Sequence, residues 1–156
     1  MKRVWHEREV RLLHEYLAKR FPKNDVILNT RVGDIPEEIK VRYAGDPMTQ
    51  ETYRAGLPRA DAIVFDGDVV WIIEAKLEAE LAGAAQLTMY RSRLPSTPKL
   101  VDRVAGKQIK TLLVVGRESR NLEDLCRELG HEIVIFQPPW AAIYMAERGI
   151  KRLSFG

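Results

Sequence analysis

Apolar positions recur along this chain with two different periods, and the switches between them outline its elements. From Val4 to about Arg20 the period is helical: Trp5, Val10, Leu12, Leu13, Tyr16 and Leu17 share one face, and Phe21-Pro22 stops the helix. Val26 to Val32 is rich in β-type residues between Asn24-Asp25 and Gly33-Asp34, and predicts a strand. Asp34 to Pro58 has no steady period. Its prolines and glycines mark turns, a short helix fits near Met48–Tyr53, and the length suggests a functional insertion or flap.

Two strand-like runs follow, Ala60–Phe65 and Val69–Leu77, joined by the turn Asp66-Gly67-Asp68, so they predict a hairpin. The Ala- and Leu-rich stretch from Glu78 to Leu94 predicts a helix, ended by Pro95 and Pro98. Ile109–Val115 predicts an apolar strand, Asn121–Leu129 a short helix with Gly130 as its C-cap, Glu132–Phe136 a strand, and about Trp140 to Glu147 a final helix. The order α-β-β-β-α-β-α-β-α, a hairpin followed by alternating helix and strand, predicts an α/β fold with a mixed sheet flanked by helices. With 156 residues and no linker or repeat, residues 1–156 are expected to form one domain.

Composition narrows the class without choosing a function. The chain is 46% hydrophobic and 30% charged, as ordinary globular proteins are, and its net charge is +3. A pI near 9.1 is compatible with a nucleic-acid partner and adds little alone. Cys126 is the only cysteine, which excludes an internal disulfide framework, a cysteine-rich zinc site and an iron–sulfur cluster. The charged start MKRVWHEREV does not read as a signal peptide, and no apolar run approaches the length of a membrane span. A soluble cytoplasmic protein is the expectation.

The chemistry concentrates on the hairpin. Glu74 and Lys76 lie two apart on a strand and share a face, while Trp71, Ile73 and Ala75 make the other. Counting outward from the turn, Asp61 falls opposite Glu74 or its neighbour. Two carboxylates and an ammonium gathered there suit phosphodiester hydrolysis. Carboxylate oxygens are hard ligands for Mg²⁺ or Mn²⁺, and such a cation polarises a phosphoryl group and acidifies a bound water. Lys76 would then offset charge on the phosphate, and Glu74 would help remove the nucleophile's proton. A bare Glu-x-Lys triplet arises by chance about once in every two or three chains of this length. Placement inside VVWIIEAKL is what gives it weight, since charges are rarely buried unpartnered. An edge strand with solvated charges would give the same pattern.

Pro58-Arg59-Ala60-Asp61 followed by Glu74-Ala75-Lys76 resembles the signature of the PD-(D/E)XK nuclease superfamily. The element order through Ile109–Val115 is similar to that family's αβββαβ core, and the resemblance covers roughly residues 1 to 117. Gln86 and Tyr90, four apart on the next helix, resemble the Gln-x-x-x-Tyr element of the RecB-type branch, whose members use it to position substrate and shape the site. The resemblance implies a restriction-endonuclease-like fold and a Mg²⁺- or Mn²⁺-dependent nuclease acting on DNA, in repair, recombination or a mobile element. It also implies a further acid from the first helix. At about 100° per residue, Glu9 falls mid-face among Trp5, Leu12, Leu13 and Tyr16, so Glu9 is chosen as that ligand or water-holding group. His6, on the inner side, reads better as a packing histidine, and His14 falls on the opposite side.

Arg59, Arg91 and Arg93 are candidates to contact backbone phosphates, with Arg54, Lys99, Arg103, Lys107 and Lys110 as weaker ones, although scattered surface cations usually serve solubility. No sequence-reading module is visible, so structure-directed or nonspecific cutting is expected. Trp140, Ile143, Tyr144 and Ile150 either close the core or face a second subunit, and a duplex substrate would favour a symmetric dimer. Two alternatives stand beside the nuclease: a non-catalytic nucleic-acid-binding or assembly domain, and a metal-dependent hydrolase of another substrate.

Overall fold

The computed structural model describes residues 2–155, with side chains from 6 to 149. Trp5 and Ile150, read from the sequence as apolar contacts, therefore lie outside the described side chains. The elements run α1 (Lys2–Arg20), β1 (Asp25–Arg31), α2 (Glu37–Arg42), α3 (Pro47–Ala55), β2 (Arg59–Asp66), β3 (Val69–Lys76), α4 (Leu81–Arg93), α5 (Val101–Val104), β4 (Gln108–Val115), α6 (Arg120–Leu129), β5 (Glu132–Ile135) and α7 (Pro139–Phe155).

The five strands form one mixed sheet in the order β1-β2-β3-β4-β5. The first three are antiparallel neighbours, and β4 and β5 join in parallel. Asp66-Gly67 closes the β2–β3 hairpin because Gly67 takes φ 58° at no steric cost. A parallel strand needs a crossover, and α4 and α6 supply the two required. Strand β3 is thus central, paired along its whole length with β4 from Val69↔Gln108 to Lys76↔Val115. Its charges do not belong to a solvated edge.

Helices cover both faces, which explains why β3 and β4 read as nearly continuous apolar runs. One core layer joins Leu12, Leu13, Tyr16 and Leu17 of α1 and Ala141 and Met145 of α7 to Trp71, Ile73 and Ala75. The other joins Ala84, Leu87 and Tyr90 of α4 and Leu122 and Cys126 of α6 to Val70, Ile72 and Leu113. Each Leu, Ile, Val or Met among them, withdrawn fully from water, favours folding by about 1.5–3 kcal/mol. Along α7, Trp140 and Tyr144 pack against α1: Trp140 Nε1 donates to Glu15 Oε2 at 2.8 Å, and Arg8 stands 3.9 Å over the Tyr144 ring. Ile143 points outward, 60% exposed.

Three boundaries differ from the pattern-based expectation. The irregular segment 34–58 holds two helices, α2 and α3, rather than one. Neither buries a residue, so neither carries an apolar stripe to betray it. Their signals are local instead: Glu37 and Glu38 in the first turn of α2, and the Asp46 cap on the Thr49 N–H of α3. Helix α4 starts at Leu81, not Glu78: β3 ends at Lys76, the chain bends at 77–78, and Glu80 is still extended at φ −104°, ψ 133°. Helix α7 runs beyond Glu147.

Candidate active site

The strand alternation that fills the two cores changes phase at one place. On β2, Ala60 and Ile63 face the α4 layer, whereas Ala62 and Val64 face the α1 layer. Ile27 of β1 and Val32 just beyond it face the α4 layer although they stand five positions apart, an odd step. The shift falls at Asn29 and Asp61, which lie between the pairs Leu28↔Ala62 and Thr30↔Ala60. Asn29 has φ 48°, the only positive value at a non-glycine residue among those described, and Asn tolerates that conformation better than most residues.

This kink frees Asp61 from facing either core layer. Regular β2–β3 pairing ends at Ala62↔Ile73. Beyond it, side chains replace the backbone ladder: the Asp61 N–H donates to Glu74 Oε1 at 2.9 Å, and the Ala75 N–H donates to Asp61 Oδ2 at 2.9 Å. The two acids are therefore inserted between the strands, each held by the other strand's backbone. Glu74 is only 2% exposed. Burial, and after it the adjacent Asp61 carboxylate, push the Glu74 carboxyl up to about 8, against the opposing pull of the Asp61 N–H and Lys76.

Glu9 reaches the same end of β3 from α1, where its Oε2 accepts the Leu77 N–H at 3.0 Å. Burial raises its carboxyl above the ordinary value, partly offset by that N–H and by Lys76. A cavity of about 170 Å³ is lined by Glu9, Asp61 and Lys76 together with His6, His14 and Asn29. Lys76 is half-buried and makes no ion pair among the described residues. His6 and His14 are both exposed at this cavity, so His6 is not a packed core residue and His14 does not face away.

Tyr90 approaches from α4, the helix that also carries Gln86. The Tyr90 ring is 2% exposed and its hydroxyl donates to the Arg59 carbonyl at 3.0 Å, which fixes β2 two residues before Asp61. Burial first, then the fields of Glu74 and Asp61, raise the Tyr90 hydroxyl above its ordinary value. Gln86 Oε1 is buried without a hydrogen-bond partner. A buried acceptor left unpaired in this way is costly, and Gln86 does not line the Asp61 cavity.

The remaining arginines separate. Arg59 is exposed beside the site and donates to the Asn29 carbonyl at 3.0 Å. Arg91 is placed elsewhere: it donates to the carbonyls of Leu129 at 2.9 Å and Gly130 at 3.4 Å, satisfying the end of α6. The stem of Arg93 lies against Gly33, where a Cβ would meet Arg93 Cβ at 3.3 Å. Neither lines the Asp61 cavity.

The donor set can be tested against a divalent cation. Among the described residues, no group of three or more His, Cys, Asp or Glu side chains is disposed to hold a metal. Glu9 is thus not drawn into one ligand set with Asp61 and Glu74. Two carboxylates do converge, and Mg²⁺ commonly binds through one or two carboxylates while keeping water and phosphate oxygens as its other ligands. One backbone N–H does not exhaust a carboxylate, which has about four acceptor positions. The residues fit such an ion. No family model matches the chain, and no curated protein or solved structure matches it either. Among the described residues, no helix is long and apolar enough to cross a membrane.

Proposed function

We propose that this chain is a metal-dependent nuclease with a restriction-endonuclease-like fold of the PD-(D/E)XK type, hydrolysing phosphodiester bonds in DNA without reading a base sequence. One observation carries the reading. Asp61 and Glu74 are built into the sheet in place of ladder hydrogen bonds, an arrangement that interrupts a central strand pair and sets a buried acid, Glu74, beside a half-buried one, Asp61. A structural role gives no reason for that cost, because replacing both acids with apolar residues would restore pairing and a dry core.

Asp61 and Glu74 would hold Mg²⁺ or Mn²⁺, which when bound supplies Lewis-acid polarisation of the phosphoryl oxygen and an acidified water. The chain's own residues do the rest. Lys76, half-buried and without an ion-pair partner among the described residues, places its ammonium where charge develops on the phosphate. Glu9, fixed by the Leu77 N–H, is set to hold the attacking water and accept its proton. Tyr90 keeps β2 in position through the Arg59 carbonyl.

Purified protein incubated with linear, circular, single-stranded and branched DNA should cut in Mg²⁺ or Mn²⁺ and stop on adding EDTA. Asp61→Asn and Lys76→Ala should each lower the rate by about 100-fold or more while leaving the circular-dichroism spectrum unchanged. Cutting at the wild-type rate by both variants would end this assignment. DNA binding without cutting in any metal would make the chain a non-catalytic domain of the same fold.

A further inference from the structure

Next to the Asp61 cavity lies a second and larger groove of about 550 Å³, between the β1–β2 edge, helix α3 and the turn at Thr97–Lys99. Four cations line it, Arg31, Arg54, Arg59 and Lys99, against one acid, Glu51. Asn29 borders both cavities, and Arg59 precedes Asp61 by two residues of β2, roughly 7 Å of strand. The groove therefore adjoins the cavity that Asp61 lines.

Its cations are incompletely used. Arg31 donates through one terminal nitrogen to Glu51 Oε1 at 2.7 Å, yet its Nε is buried with no partner. Arg59 gives the Asn29 carbonyl one of its five N–H donors. Lys99 makes no ion pair among the described residues, and its charge reaches Glu51. Arg54 alone is committed, to Asp34 at 2.8 Å. An anion with several oxygens would satisfy what Glu51 leaves open.

We propose that this groove is the path of a single nucleic-acid strand, held through its phosphates by Arg31, Arg59 and Lys99, with Glu51 occupying Arg31 until the strand displaces it. With about 550 Å³ of space, the groove takes a short run of one strand, whereas a duplex would have to lie across its mouth. Among the described residues, no aromatic ring lines the groove. Contacts fall on the backbone, and binding is indifferent to base sequence. The inference rests on the nuclease reading of the adjoining site and adds the substrate form.

The test is fluorescence anisotropy in EDTA with a labelled oligothymidylate of about 12 nucleotides, alongside a blunt duplex of equal length. Arg31→Gln and Lys99→Gln should each weaken strand binding and reduce the slope of log affinity against log salt by about 0.7. Glu51→Gln, an exposed change, should tighten binding about 2- to 5-fold. The duplex should bind at least about 10-fold more weakly. Absent binding, equal affinity for the duplex, or an unmoved salt slope in both cation variants would each overturn the proposal. If these responses appear in a protein that never cuts, the groove stands and the nuclease reading falls; if it cuts while all three variants are silent, the reverse holds.

Discussion

Glu74 concentrates the tension of the site in one side chain. It is an acid in a central strand, and its carboxyl is pushed up to about 8 from an ordinary 4.5. The sign follows from linkage. An acid whose value is raised by folding stabilises the fold when protonated, so the metal-free protein should lose stability as pH rises from about 4.5 to about 8 and level off above that. Divalent cations require the charged form, so the rise in melting temperature they produce should be larger at pH 8 than at about pH 5. Glu74→Gln should flatten the metal-free pH slope and abolish the metal effect. A wild-type slope retained in that variant would show that another group sets it. The sequence marked Asp61, Glu74 and Lys76 through their residue types and spacing. It did not mark Asn29, whose only signal is that asparagine accepts positive φ, nor the exposure of His6 and His14, because a helical wheel has no knowledge of where a neighbouring strand ends.

At the scale of elements, the β2–β3 hairpin and α1 make the site, and the α2–α3 segment walls the groove beside it. That segment buries no residue in either helix, so it is fastened by charge instead. Asp34 accepts Lys40 from α2 at 2.8 Å and Arg54 from α3 at 2.8 Å. Burial alone would raise its carboxyl, but Lys40, Arg54 and the Ile35 N–H outweigh that and hold it below the ordinary 3.8. A depressed acid contributes stability above its ordinary value and loses it as pH falls through the folded one, so this anchor is fully present at neutral pH. Asp34→Asn should leave the melting temperature of the core nearly unchanged and make residues 35–58 markedly more sensitive to limited proteolysis. Unchanged cleavage of that segment would mean that something other than Asp34 secures it. Apolar periodicity could not find α2 for the same reason that the anchor is electrostatic: there is no buried stripe to read.

Across the whole molecule, helices on both faces of a five-stranded sheet make two core layers that meet at β3 and β4. Leu113 is fully buried in the α4 layer, with its methyl groups filling the space that Gly83 leaves open. Leu113→Ala should cost about 2–5 kcal/mol in denaturant unfolding. Leu113 is also the cross-strand partner of Glu74, yet it carries no group of the proposed chemistry, so cutting measured well below the new melting point should stay within a few-fold of wild type. A loss of cutting as large as that of Asp61→Asn, in a folded sample, would show that the core and the site are coupled through β4. The fold class was legible at this scale because periods of 2 and 3.6 are properties of the backbone, printed wherever one face is buried and the other is not.

Sequence alone therefore determined the elements with buried faces, their order, and the three residue types whose chemistry suits a phosphodiester. Only the tertiary structure decided how they meet. The shared phase change at Asn29 and Asp61, the acids standing in for ladder hydrogen bonds, Glu9 on the Leu77 N–H and the release of Arg91 to the end of α6 all depend on contacts between segments far apart in the chain. Local patterns record what each residue prefers near its neighbours; where two strands part, the outcome is set by which distant group is present to fill the gap.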